Sequence, residues 1–317
     1  MVLRAPSDLV LDEVARPQPA AGQVLVRITH SGICGTDWKI YSGSIPVTYP
    51  RIMGHEMAGE VVAVEADLQG RLGRPLVPGD RVIIDPETYC GTCFHCRIGQ
   101  TNLCPNGTLI GRDTNGGFAD YLMVPASQVF RLPDSIDDRT APMIQVLTTC
   151  LHAQRQVTIF PGDSVVVLGL GVTGQLHVQL AKARGARVIG VTRSAEKRAM
   201  AEKLGADLTI ETTGVMRQLA DSVHMTRFGG KVLMFGIYTV KEGALPFYDL
   251  YFKEISLITA RVAKAEDYPA SIALVERGQV RLEPLVSDVM PLGELKAAIG
   301  MLASDSGQRM KIILDHS

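Results

Sequence analysis

The chain carries two successive patterns of apolar and polar positions along its 317 residues. Over roughly the first 135 residues, short apolar runs with strand spacing alternate with turns rich in Pro, Gly and Asp. The clearest of these runs are QVLVRI, MAGEVVAV, DRVIID and ADYLMV. They predict a compact, β-rich domain of barrel-like form.

From about Ala141 the pattern changes to alternating strands and helices. The stretch APMIQVLTTCLHAQRQV predicts a helix, and SVVVLG, ARVIGV and KVLMFG are continuous apolar runs typical of parallel strands that are buried on both faces. Between them, QLHVQLAKARG and SAEKRAMAEKLG have helical spacing and end in Gly, a frequent residue at helix C-termini. This alternation predicts an α/β domain with a doubly wound parallel sheet.

The last part of the chain, after Ile258, matches neither pattern fully. It contains a predicted helix near AEDYPASIALVERG and a predicted strand near MKIIL, and we assign it to the first domain. We therefore expect a β-rich domain over 1–143 that is completed by 263–317, and a doubly wound domain over 144–262.

The composition is that of an ordinary soluble globular protein, with 46% hydrophobic and 21% charged residues. A formal net charge of -1 and the absence of any block of Lys or Arg argue against nucleic-acid binding and favour small soluble ligands. The apolar runs are shorter than the roughly 18 residues needed to cross a bilayer. Because the opening MVLRAPSDLVLDEV also lacks the features of an export signal, we expect a cytoplasmic protein without a membrane partner.

Four of the six cysteines lie close together in YCGTCFHCRIGQTNLC. Disulfides are the weaker explanation, because nothing in the sequence indicates export. The spacing C-x2-C-x2-C-x7-C lets a tight loop direct four thiolates at one tetrahedral metal. Since such a site has no open position for a substrate, we predict a structural zinc on Cys90, Cys93, Cys96 and Cys104.

A glycine motif of the form G-x-G-x-x-G follows the predicted strand SVVVLG and opens the next helix. Alone, the motif is also compatible with a simple tight turn, but the order strand, motif, helix and second strand is typical of a dinucleotide site. The glycines allow the backbone to approach a pyrophosphate at a helix N-terminus. We predict a cofactor site formed by the motif and by the end of KVLMFG, at Gly169, Gly171, Val172, Thr173, Gly174, Gly236 and Ile237.

The end of the second strand, ARVIGV, indicates which cofactor binds. An NAD site commonly presents a carboxylate there to the ribose 2'-hydroxyl, whereas this chain has Thr192, Arg193 and Ser194. A guanidinium and two hydroxyls can bind a 2'-phosphate, so we predict that NADP is preferred over NAD. The alternative is that Arg193 is a solvated surface charge.

Three further polar residues of the first domain form a second candidate metal site. Cys34 in SGICGTDWKIYSG, with His55 and Glu56 in MGHEMAGE, supplies a thiolate, an imidazole and a carboxylate, a ligand set that suits zinc with one position left open. Taken singly, the Cys and the His are also compatible with inert packing. Asp37 is a candidate to bind the second ring nitrogen of His55, or else it caps a turn.

In this order, GICGTD, GHE, PGDRV, the four-cysteine loop, GGFADY and GLGVTG resemble the zinc-dependent medium-chain alcohol dehydrogenases, nearest their polyol and sugar-acid branch. The resemblance covers essentially the whole chain. It implies a GroES-like catalytic domain, a Rossmann domain, a structural zinc on the four cysteines, and a catalytic zinc on Cys34 and His55 with Glu56 as ligand or close neighbour. The substrate would be a small alcohol, polyol or sugar acid, and the assembly a homodimer or homotetramer.

The resemblance also implies a reaction, in which zinc polarises the substrate hydroxyl, hydride passes to the nicotinamide, and the hydroxyl of Thr36 receives the proton. Two positions depart from the family pattern. Lys39 replaces a histidine of the proton relay, and Gln145 stands where relatives have a Cys or Glu ligand, so we expect Glu56 and water to complete the zinc sphere.

Two other residues are interpreted through the same comparison. Arg261 aligns with a segment that lines the substrate pocket in the polyol and sugar-acid branch, although a surface charge is an equal alternative. Cys150 is interpreted as packing.

By the family's usual length, about 25 to 30 residues are missing near Asp207 and Leu208, where a further strand and helix of the sheet are expected. Either the edge strand is absent from this chain, or the sequence joins two segments across residues that it leaves out. We favour the second explanation.

Two other functions stay open at this point. A zinc-free quinone or enoyl reductase of the same superfamily would have no need of Cys34 with His55. A non-catalytic nucleotide-binding protein with a structural or sensing role is compatible with the departures at Gln145 and Lys39.

Overall fold

The computed structural model describes residues 1–18, 20–65, 67–70, 74–192, 205–303 and 310–317. They form two compact units, each described by itself below. The first comprises Met1–Val146, Lys264–Glu276 and Leu282–Ser317, and the second comprises Leu147–Ala263 and Arg277–Arg281. None of the helices in these ranges is both long and apolar enough to cross a membrane.

The first unit is built around a seven-stranded, mainly antiparallel sheet with the strand order β15-β16-β3-β4-β5-β9, in which β8 also pairs with β3. The only parallel pair of this sheet in the described chain is β15 with β16. The unit's strands are β1 (Val2–Ala5), β2 (Asp8–Val10), β3 (Gln23–Gly32), β4 (Glu56–Val64), β5 (Arg81–Ile84), β6 (Glu87–Thr88), β7 (Thr108–Leu109), β8 (Tyr121–Pro125), β9 (Val129–Arg131), β15 (Val286–Pro291) and β16 (Lys311–Asp315).

One face of β3 contributes much of the core of this sheet. Val24, Val26 and Ile28 lie at alternate positions, are almost fully buried, and join one apolar core with residues of β5 and β8. A second core lies under the helix α1 (Gly35–Tyr41), where Ile40 packs with Leu3 and Phe118. The other helices that belong to this unit are α2 (Phe94–Arg97), α7 (Tyr268–Glu276) and α8 (Leu295–Ala303).

The second unit contains a five-stranded sheet in which every described pairing is parallel, with the order β11-β10-β12-β13-β14. Its strands are β10 (Ser164–Leu168), β11 (Arg187–Val191), β12 (Ala206–Glu211), β13 (Thr226–Met234) and β14 (Ser256–Thr259). Its helices are α4 (Val172–Ala183), α5 (Met216–Met225) and α6 (Phe247–Phe252), and α3 (Met143–Arg155) begins in the first unit and ends in the second. The predicted helix SAEKRAMAEKLG lies, apart from its last residue, outside the described residues.

The central strand β10 is buried on both faces, as its continuous apolar run predicts. Val165 and Val167 belong to one apolar core, whereas Val166 and Leu168 belong to a different one. Helices must therefore cover both sides of the sheet, which is the doubly wound arrangement. The expected α/β fold, a β-rich domain together with a parallel sheet, is confirmed.

The structure corrects the favoured explanation of the missing residues. Asp207 and Leu208 are successive residues of β12, and Leu208 pairs in register with Val165 of β10. The Asp207 carboxylate also accepts a hydrogen bond of 2.7 Å from the Ser164 N–H, which ties the start of β12 to the start of β10. The chain is continuous here, and among the described residues β11 is the outermost strand on its side of the sheet, with no further edge strand.

Candidate functional site

Cys34 is held at the N-terminus of α1 by a capping arrangement. It is the N-cap residue, and its Sγ accepts the backbone N–H of Thr36 at 3.3 Å. The carboxylate of Asp37 in turn accepts the backbone N–H of Cys34 at 2.9 Å. The sulfur of Cys34 therefore has a fixed position at the start of the helix.

His55 immediately precedes β4 and is almost fully buried beside Asp37. Its Nδ1 lies 3.4 Å from Oδ1 of Asp37, the separation of an ion pair, so Nε2 is the nitrogen left for a metal. Burial lowers the pKa of His55, but the nearby Asp37 and Cys34 outweigh this and raise it well above the ordinary value. The carboxylate of Asp37 therefore has the position expected of a group that orients a ligating imidazole.

Glu56 is the first residue of β4, and its carboxylate is paired with a lysine from the last strand. Oε2 of Glu56 contacts Nζ of Lys311, which also donates to the carbonyl oxygen of Ile33 at 3.0 Å. The two charged side chains are only 2% and 5% exposed, so the pair is shielded from water. Burial at this level requires that the two charges compensate one another.

The ligand atoms of Cys34, His55 and Glu56 all lie within 4.8 Å of one another. Soft sulfur, borderline nitrogen and carboxylate oxygen at these separations fit a zinc ion, whose bonds to such ligands are about 2.0 to 2.3 Å. Three protein ligands leave a fourth position for water or substrate, as in catalytic zinc sites. The structure thus brings together the three residues that the sequence predicts for the catalytic metal.

The four clustered cysteines also converge. Their sulfur atoms lie within 4.8 Å of one another, and the sulfur of Cys104 is 3.6 Å from that of Cys90 and 3.9 Å from that of Cys93. Tetrahedral zinc with bonds of about 2.3 Å would place its sulfurs about 3.8 Å apart, so the loop fits that ion. Hydrogen bonds from Thr92, followed by the N–H of Cys93, lower the pKa of Cys90 to about 5, which favours the thiolate.

The cofactor motif forms the turn between β10 and α4. Gly169 has a φ of 87°, which disfavours any side chain, and a Cβ on Gly174 would lie 1.9 Å from the carbonyl oxygen of Gly169. Gly171, the N-cap of α4, has open space where a Cβ would point. Two glycines therefore close the turn and the third leaves room for a phosphate beside the N–H groups of Val172 and Thr173.

The other predicted cofactor residues lie at the carboxyl ends of neighbouring strands. Thr192 follows β11 and is exposed, while Arg193 and Ser194 lie outside the described residues. Gly236 and Ile237 follow β13, and the side chain of Ile237 is 73% exposed. An apolar side chain held in solvent at a strand end is a suitable surface for a flat aromatic ring.

The other residues that were interpreted through the family resemblance have these positions. Thr36 and Lys39 lie on α1 and are partly buried, and Gln145 lies in the first turn of α3 with 9% exposure. Cys150, also on α3, is fully buried, which raises the pKa of its thiol and agrees with packing. Arg261 follows β14 and is exposed.

Two contacts were not predicted from the sequence. The first is the ion pair of Lys311 with Glu56, which are 255 positions apart. The only indication in the sequence that Lys311 is buried is that it directly precedes the apolar residues IIL of a predicted strand. Glu211 ends β12 in the same way, as a carboxylate after the apolar run LTI, and it is fully buried.

The chain is similar to known proteins over most of its length. Residues 20–134 match the family model of the alcohol dehydrogenase GroES-like domain, and residues 172–213 match that of the zinc-binding dehydrogenases. The chain is 31% identical to L-galactonate-5-dehydrogenase of Escherichia coli K12, over 93% of this chain and 92% of that protein.

Two solved structures are similar over nearly the full length. A protein described as a zinc-binding dehydrogenase from Sinorhizobium meliloti 1021, bound to NADP, has 30% identity and a TM-score of 0.89, with coverage of 99% of this chain and 98% of that one. The alcohol dehydrogenase rspB from Escherichia coli CFT073, in complex with NADH, has 26% identity and a TM-score of 0.88, with the same coverage.

The alignment with the galactonate enzyme shows how much shorter this chain is. The alignment is 323 positions long and includes 93% of the 317 residues of this chain, which is about 295 residues. About 28 positions of the relative therefore have no counterpart in this chain. A strand, a helix and two connecting loops account for about that length.

Proposed function

Because the chain belongs to the zinc-dependent medium-chain alcohol dehydrogenases, we propose that it interconverts a secondary hydroxyl of a polyol or sugar acid and the corresponding ketone with a nicotinamide cofactor. The observation that carries this proposal is the convergence of the ligand atoms of Cys34, His55 and Glu56 within 4.8 Å. A zinc-free reductase has no use for that arrangement.

When bound, zinc would polarise the substrate hydroxyl as a Lewis acid, and the nicotinamide would exchange a hydride with the substrate carbon. Within the chain, Cys34, His55 and Glu56 would hold the metal, and Asp37 would orient the ring of His55. We propose that Oγ1 of Thr36 receives the proton of the substrate hydroxyl. Gln145 would form a hydrogen bond to water beside the metal. The partly buried Lys39 then stands where the proton would leave towards solvent.

A panel of secondary alcohols, polyols and aldonates, run with both cofactors, tests the reaction. The sugar-acid relative makes aldonates the first compounds to test. Turnover of any of them that is lost on removal of zinc supports the proposal. Tight cofactor binding without turnover of any compound would instead favour the nucleotide-binding alternative.

We propose NADP as the preferred cofactor. The support is the absence of a carboxylate at Thr192 and the two residues that follow it, together with the NADP that the Sinorhizobium relative binds. The NADH bound by rspB shows that similar chains also take the other cofactor. The measurement is kcat/KM for NADP and for NAD, and a clear preference for NAD overturns the assignment.

The metal and assembly predictions complete the proposal. We expect two zinc ions per chain, one catalytic and one structural, from elemental analysis of the purified protein. A homodimer or homotetramer is expected, so light scattering should give two or four times the chain mass of 34.3 kDa. The cytoplasmic location stays a prediction.

A further inference from the structure

Three turns of the second unit are joined by hydrogen bonds at the carboxyl ends of β10, β12 and β13. The hydroxyl of Thr212, just after β12, donates to the carbonyl oxygens of Leu168 at 2.7 Å and Gly169 at 3.1 Å. The turn after β12 is therefore attached to the glycine motif that follows β10.

The turns after β12 and β13 are in direct contact. The N–H groups of Phe235 and Gly236 both donate to the carbonyl oxygen of Glu211, each at 2.9 Å. A Cβ on Gly236 would lie 2.1 Å from the backbone nitrogen of Gly214, so only glycine permits this approach. The two turns cannot shift independently at this distance.

The side chain of Glu211 is fully buried between these turns. Its Oε1 accepts the N–H of Thr213 at 2.6 Å and also the hydroxyl of that residue. Its Oε2 accepts the N–H of Gly214 at 3.1 Å and the hydroxyl of Tyr238. One N–H and one hydroxyl on each oxygen complement an ionised carboxylate, which only accepts hydrogen bonds.

The described residues place no cation against this carboxylate. Among the described residues, no Lys, Arg or His nitrogen lies within 4.0 Å of it. Burial, and then the hydrogen bond to Glu211 and its charge, raise the pKa of Tyr238, so that this hydroxyl stays a donor. The negative charge of Glu211 consequently acts on groups in the surrounding turns, where it attracts positive charge.

The turns lie where the nicotinamide half of a dinucleotide is expected. Dinucleotides bind across the carboxyl ends of the strands, and the end of β11 meets the ribose of the adenosine half. The nicotinamide half then falls to the turns after β12 and β13. Its ring is positively charged when oxidised and neutral when reduced.

We propose that Glu211 is a positioning residue that holds the turns 212–214 and 235–238 in one arrangement, and that its buried charge favours the oxidised over the reduced cofactor. This inference rests on the proposed function, because it requires a nicotinamide cofactor at these turns.

The test is calorimetric titration of the zinc-loaded full chain with NADP⁺ and with NADPH. In Glu211→Gln, which removes the charge, the dissociation constant for NADP⁺ should rise about tenfold more than that for NADPH, equivalent to about 1.4 kcal/mol. In Tyr238→Phe, which keeps the charge and loses one bond to it, both constants should rise about equally, by about threefold. Asp249→Asn, a carboxylate of α6 that pairs with His224, is the control and should change neither.

An unchanged ratio of the two constants in Glu211→Gln overturns the role of the charge. If that variant does not fold, Tyr238→Phe decides the question, since unchanged affinity for both forms overturns the positioning role. Failure of the proposed function looks different. The unaltered protein would then either bind neither form, or bind both forms without turnover of any compound in the substrate panel.

Discussion

Replacing Lys311 by Met removes the only cation paired with the buried carboxylate of Glu56 among the described residues. Met has nearly the volume of Lys without its charge, so packing changes little while electrostatics change strongly. The variant therefore asks how much of the stability of the first unit depends on this pair.

The expected cost follows from the burial of the pair. The side chains are 5% and 2% exposed, so Glu56 would be left as an uncompensated charge in the interior. Removing one partner of a buried pair typically costs about 3 to 5 kcal/mol. The lost hydrogen bond to the carbonyl oxygen of Ile33 contributes about 1 kcal/mol of this. In the double variant Glu56→Gln/Lys311→Met only that last contribution should remain, about 1 kcal/mol.

Trp38 makes the measurement specific. It is the only tryptophan of the chain, it lies on α1, and it packs against the apolar core of the first unit. Its fluorescence during urea unfolding therefore reports this unit alone. The unaltered protein, Glu56→Gln, Lys311→Met and the double variant form a double-mutant cycle. Their stabilities are compared in metal-free buffer and again with zinc. A bound zinc ion would replace the missing positive charge beside Glu56, so the loss should be smaller when zinc is present.

Lys296→Met is the matched control, because Lys296 is exposed on α8 and should cost less than about 0.5 kcal/mol. A loss below about 1 kcal/mol for Lys311→Met in metal-free buffer would refute the argument from burial. A double variant no more stable than Lys311→Met would also refute it, because the damage would then not come from the uncompensated charge.

Three further outcomes are expected. Glu56→Ala should lower the zinc content from two ions per chain to one, and a content that stays at two contradicts its assignment as a ligand. Cys93→Ser should also leave one zinc per chain, but with the ion at Cys34 retained, so some dehydrogenase activity should persist; complete loss of both ions argues against two separate sites. Gly174→Ala should destabilise the second unit, because its Cβ would meet the carbonyl oxygen of Gly169 at 1.9 Å. Gly171→Ala has open space for its Cβ and should mainly weaken cofactor binding. Equal thermal stability of the two variants would contradict this difference.

The parts of the fold that could be predicted from the sequence depend on contacts between neighbouring positions. The continuous apolar run of β10 predicts burial on both faces, and its residues do divide between two apolar cores. The glycine motif is equally local, since Gly169 and Gly174 meet within one turn. Spacing also indicates the four-cysteine site, because one short loop supplies every sulfur.

Contacts between distant segments could not be predicted in the same way. The partner of Glu56 is 255 positions away, and the apolar run after Lys311 predicts a strand but not which strand lies beside it. The favoured explanation of the short chain near Asp207 and Leu208 was wrong for a related reason. Whether Asp207 and Leu208 lie in one strand depends on the pairing of β12 with β10 across the sheet, which the family's usual length does not give.

The missing edge strand shows where this architecture tolerates excision. A rim strand contributes one ladder of hydrogen bonds, so losing it removes one interface and leaves the remaining order intact. Excision of β12 would instead break two ladders and separate β10 from β13. Shortened versions of such domains should therefore be made by deleting strands from the β11 edge of the sheet and not from its middle.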